Sequence, residues 1–98
     1  MKYRLIIRPE AAEELKDSFL WYELQSKGLG FEFFRSIDAA FTLINRSPLL
    51  YTEIYRNIRR ALIRKFPFEI FYIIDNDKII VLAVFHAKRN PKKWKERK

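Results

Sequence analysis

Cysteine is absent, so disulfide staples and thiolate metal sites are excluded and a reducing cytosol is the expected compartment. Glycine is scarce: Gly28 and Gly30 are the only two. Their Gly-x-Gly spacing does not make a phosphate loop, because it follows no strand and is followed by neither a third glycine nor a Lys-Ser/Thr pair. The plainer reading is a helix cap and a tight turn between two helices. Histidine occurs once, at His86. With no thiolates, only scattered carboxylates remain as metal ligands, so neither a metal nor another cofactor is expected. Long hydrophobic runs are missing too. The longest, "IIVLAVF" (Ile79 to Phe85), is far too short to cross a membrane and suits a buried strand. "YRLIIRP" is too short for a signal-peptide core, so no targeting segment is expected.

What the chain does have is a core and a charge. Its 98 residues suit one domain, spanning 1–98, and 49% hydrophobic with 16% aromatic residues favours folding over disorder. The formal net charge is +8, and it is unevenly placed. Up to Pro48 acidic and basic residues nearly cancel; from Arg56 onward basic residues are in strong excess. A basic half of this kind points to an acidic partner, either nucleic acid or an acidic protein segment.

Periodicity then orders the elements. Tyr3 to Arg8 is a β-rich run. Pro9 fits the first turn of a helix, and Glu10, Glu13 and Glu14 favour its positive end. Ala12, Leu15, Phe19 and Tyr22 recur at helical spacing, which predicts a helix over about Pro9 to Gln25. Beyond the glycines, Phe34, Ile37, Phe41 and Ile44, with Ala40 between them, mark the buried stripe of a second helix ending before Pro48. The two helices form an antiparallel hairpin. "PLLYTEIYRN" reads as a connection. Three strands follow, over about Ile58 to Lys65, Phe68 to Asp75 and Lys78 to His86, joined by short turns into an antiparallel meander. "NPKKWKERK" can form a last short helix, capped by Asn90 with Pro91 in its first turn. The order β-α-α-β-β-β predicts an α+β fold with the helical hairpin over one face of an antiparallel sheet.

The other face lacks an obvious cover. With two-residue turns at Phe66-Pro67 and Asn76-Asp77, alternation puts Ala61, Ile63, Phe68, Ile70, Tyr72, Ile74, Ile79, Val81, Ala83 and Phe85 on the core face. It puts Arg60, Leu62, Arg64, Glu69, Phe71, Ile73, Ile80, Leu82, Val84 and His86 on the opposite one, while a bulge near Pro67 would exchange the two faces. In the first register Arg64, Glu69 and His86 gather at one end. Arginine can fork onto phosphate, histidine can act as an acid and glutamate as a base, which together allow metal-free RNA cleavage. The plainer alternative is a Glu69–Arg64 ion pair with His86 as a half-buried strand end.

In this order and spacing, "RPEAAEEL", "WYELQSKGLGFEFF", "RSPLLY", "IRRALIRKFPFEIFYII" and "IIVLAVFHAKRNPKKW" resemble the ParE/RelE toxin superfamily of type II toxin–antitoxin modules, in particular its ParE-like branch of plasmid stabilisation proteins. The resemblance implies the RelE/ParE-like fold and a cytoplasmic toxin. It also implies a cognate antitoxin as partner, whose acidic segment folds along the hairpin and the sheet. ParE-type members poison DNA gyrase. RelE-type members cut mRNA on the ribosome with strand-borne Lys or Arg and a Tyr or His near the C-terminus. The chain departs from the cutting branch at Glu69, where those relatives often carry a basic residue, and in having no tyrosine beyond Tyr72. Gyrase poisoning without an active site of its own is therefore the preferred expectation. Arg60, Arg64, Phe71, Leu82, His86, Lys88, Arg89 and Trp94 are then candidates for a surface that binds target or antitoxin. The alternatives are a ribosome-dependent endonuclease using Arg64, His86 and Glu69, and a basic domain that only binds nucleic acid.

Overall fold

The computed structural model describes residues 2–88. The β-rich run near the N-terminus forms strand β1 (Arg4–Ile7). Pro9 opens helix α1 (Pro9–Gln25), needing no N–H where none would be bonded. Helix α2 (Leu29–Arg46) follows at once and stops ahead of Pro48, which begins a short 3-10 turn, Pro48–Leu50. Four strands complete the chain: β2 (Glu53–Tyr55), β3 (Ile58–Leu62), β4 (Phe68–Asp75) and β5 (Lys78–His86).

The glycines divide their labour at the α1–α2 turn. Gly28 adopts φ 90°, the left-handed conformation that disfavours a Cβ, and it caps the start of α2 rather than the end of α1. Gly30 is needed for a close approach: a Cβ there would lie 2.7 Å from the Phe19 carbonyl oxygen. The Glu23 carboxylate accepts from the N–H groups of Gly28 (2.8 Å) and Gly30 (2.9 Å), satisfying donors that the first turn of a helix leaves open.

The sheet has five strands in the order β1-β5-β4-β3-β2. β1 runs parallel to β5, so the sheet is mixed and not purely an antiparallel meander. β2, within the stretch expected to be a plain connection, adds a short antiparallel edge beside β3. The hairpin packs on one face through Ala11, Leu15, Phe33, Ile37, Ala40 and Ile44. Each helical stripe departs from expectation at one position. Ala11 is buried and Ala12 exposed; Phe33 is fully buried while Phe34 stays 40% exposed. Phe33 packs among Tyr22, Phe66 and Phe68, tilted against the first and edge-on to the other two, at centroid distances of 5.3, 5.4 and 4.9 Å. Each such fully buried side chain stabilises the fold by about 1.5–3 kcal/mol in transfer free energy alone.

Candidate functional site

The strand register decides where the candidate residues lie. β3 and β4 pair regularly, Arg60 opposite Phe71 and Leu62 opposite Glu69. β4 and β5 do not. Tyr72 faces Val81, but the next pair is Phe71 with Ala83, so Leu82 is an extra residue in β5. Such a bulge moves every later side chain to the other face. Ala83 and Phe85 therefore join Ile58, Phe71 and Leu82 on the face away from the hairpin, and Val84 joins the hairpin side. The shift lies in mid-sheet, not near Pro67.

His86 is displaced by this bulge. It pairs with Phe68, whose ring it meets edge-on at 5.5 Å, and lines a cavity of about 220 Å³ with Glu14, Asp17 and Ser18 of α1. Its Nδ1 accepts from the Lys88 N–H at 3.1 Å, which leaves the proton of the neutral ring on Nε2. Glu69 projects from the opposite face and pairs with Arg60 at 3.3 Å, not with Arg64. Arg64 lies beyond the end of β3 and turns toward α2. The expected cluster of Arg64, Glu69 and His86 is thus not assembled. Among the described residues no group of carboxylates and histidine is arranged to hold a metal ion.

The far sheet face also differs from expectation. Phe71 is 1% exposed and Leu82 fully buried, so neither offers surface to a partner. Arg60 and Lys88 are exposed. Arg89, Trp94 and the expected C-terminal helix lie outside the described residues.

A different surface is open. A groove of about 500 Å³ runs between α2 and the end of β3, floored by Ala39, Ala40, Leu43, Tyr51 and Ile63. Arg35, Arg64 and Lys65 line it with one acid, Glu32. Leu62, 65% exposed, stands on its lip. The backbone there is open as well. Ile63 N–H bonds inward to the Phe68 carbonyl (3.3 Å), and Arg60 N–H bonds outward to the Thr52 carbonyl (3.2 Å). Strand alternation therefore turns the Leu62 N–H and C=O outward, past the end of β2, where no described residue bonds them. Sequence reasoning missed this groove because it ran β3 on to Lys65 and so treated Arg64 as a sheet-face residue. The shortness of β3, closed by Lys65 at φ 72°, was the hidden signal.

A β-α-α-β-β-β-β chain with this basic groove invites comparison with known families. The model of the ParE toxin of type II toxin–antitoxin systems, parDE, matches residues 5–91. The chain belongs to the ParE toxin family. Solved structures share the fold of this ParE-family chain at low identity. The chromosomal ParDE system from P. aeruginosa gives a TM-score of 0.77 at 12% identity, covering 87% of this chain and 96% of that one. A double arginine-to-alanine variant of E. coli toxin RelE in the free state gives 0.68 at 12% identity, covering 99% and 94%. The RelBE2 toxin–antitoxin complex from Mycobacterium tuberculosis gives 0.61 at 18% identity, covering 88% and 99%. No curated protein sequence matches the chain significantly. Among the described residues no helix is long and apolar enough to cross a membrane.

Proposed function

We propose that this ParE-family chain is held silent by a cognate antitoxin and, when free, poisons DNA gyrase by binding rather than by cutting a substrate. The observation that carries the choice over the RelE-like reading is the β5 bulge. It places His86 and Glu69 on opposite faces of the sheet, while Arg64 turns off its edge. A general acid and base must reach the same reacting atoms, so this separation weighs against ribosome-dependent RNA cleavage by those three residues. Arg60 and Lys88, exposed on the basic half, are left as contacts for the target.

The α2–β3 groove supports the antitoxin part of the reading. An extended segment with apolar and acidic residues can add its backbone beside Leu62, place apolar side chains over Leu43 and Ala39, and meet Arg64 and Lys65 with its carboxylates. Ordering such a segment costs free energy, which the groove offsets through burial and paired charge.

The test is a supercoiling assay with purified gyrase. Added chain is expected to inhibit supercoiling and trap cleaved DNA, and stoichiometric antitoxin to abolish both effects. Unimpaired gyrase together with cleaved mRNA in translating ribosomes, lost in His86→Ala, would instead favour the nuclease.

A further inference from the structure

We propose that the outer face of α2 is a self-association surface on which a second copy of this chain docks as a twofold-symmetric dimer. Its apolar part is a shallow concavity of about 470 Å³ lined by Ile7, Leu15, Phe31, Phe34, Ile37 and Phe41. Phe31 and Phe34 are 55% and 40% exposed, although Phe33 beside them is completely buried. Arg35 and Asp38 border the same concavity and lie one helical turn apart. Both are exposed, and among the described residues neither side chain has an ion-pair partner. A carboxylate and a guanidinium on one stripe are self-complementary. When two α2 helices meet antiparallel about an axis midway between these residues, Arg35 of one copy faces Asp38 of the other, twice over. The exposed phenylalanines then close over the same seam.

Charge placement favours a second copy over an acidic partner here. Up to Pro48 the chain carries seven basic and seven acidic residues, so the whole net charge of +8 lies beyond that point. An acidic segment is drawn to the basic groove. Two copies that repel each other overall approach with least cost through their neutral side, the more so as salt screens charges beyond a Debye length of about 8–10 Å. A contact built on one helix face is expected to be reversible, so association is to be sought at about micromolar concentrations. The inference goes beyond the gyrase reading and does not depend on it.

Sedimentation velocity on the purified chain without antitoxin, over about 1–100 µM, tests it. The expected result is a concentration-dependent shift from 12.0 kDa toward twice that mass. Arg35→Asp and Asp38→Arg should each weaken association at least tenfold, and the double reversal should restore it. Circular dichroism checks that these surface variants fold. A wild-type monomer throughout that range overturns the proposal, as does a dimer indifferent to either single reversal. A monomer whose Phe34→Asp variant, altered outside the basic groove, also loses antitoxin binding overturns it and assigns the face to the antitoxin, leaving the toxin reading intact.

Discussion

The sheet has two places where an outer strand stops before its neighbour does, and they are finished differently. On one side β1 ends at Ile7 while β5 runs on to His86. There the Arg8 N–H still donates to the Val81 carbonyl, and the next outward N–H, that of Val84, is taken by the Glu14 carboxylate at 3.0 Å. α1 thus plugs the stub. On the other side β2 ends beside Arg59 and Arg60, and the Leu62 backbone is left facing the basic groove. An unpaired edge is a template for another chain, and proteins normally blunt it. This contrast is what supports placing the proposed antitoxin segment at the open stub.

The largest effect expected from breaking this contrast is at Glu14. Glu14→Ala strands the Val84 N–H and should cost about 1–3 kcal/mol, read as a lower midpoint in urea unfolding. Glu13→Ala, on the exposed side of α1, should change stability by no more than about 0.5 kcal/mol. Equal losses from the two variants would mean that the plug contributes nothing.

The open edge should respond in binding and not in folding. Proline is tolerated where a strand N–H faces outward. Leu62→Pro is expected to weaken antitoxin binding at least tenfold, about 1.4 kcal/mol, in calorimetric titration. Its unfolding midpoint should stay close to wild type. Unchanged antitoxin affinity would remove the β3 edge from the interface.

A smaller effect concerns what keeps that edge short. The Tyr72 hydroxyl donates to the Pro48 carbonyl at 2.6 Å, and Arg59 Nη1 donates to the Tyr51 carbonyl at 2.6 Å, so both pin the chain that leads into β2. Tyr72→Phe leaves a buried carbonyl unbonded and should cost about 1 kcal/mol. Burial raises the Tyr72 hydroxyl above its ordinary value, with the Arg59 charge pulling the other way. The folded value therefore lies above the unfolded one, about 10. Stability tied to Tyr72 is complete below that pH and is lost as pH rises from the unfolded value through the folded one. Wild type should lose stability above pH about 10 more steeply than Tyr72→Phe, in thermal melts across that range. Parallel profiles would show that Tyr72 is not the group responsible.

Much of the architecture could be read from the residues themselves. Pro9 and Pro48 bracket the hairpin, and the paired glycines mark its turn. The strand limits at Phe68, Asp75, Lys78 and His86 agree with the pattern of apolar runs and turn residues. The candidate site was far less legible. Helical stripes were placed one residue out at Ala12 and Phe34, because in runs such as "AA" and "FEFF" neighbouring positions are equally apolar and only packing selects between them. β2 went unseen because three residues are too few to show alternation.

By itself, then, the order of apolar periodicities, breakers and charges determined the fold class, the ParE kinship and the division into a neutral helical half and a basic half. These are local properties, written in runs of neighbouring residues. Only the tertiary structure decided which face each strand residue takes. A single extra residue, Leu82, carries His86 to the hairpin side, away from Glu69. Strand faces have a period of two, so one unpaired residue reverses everything after it, and its place is set by cross-strand pairing that no short stretch of sequence contains.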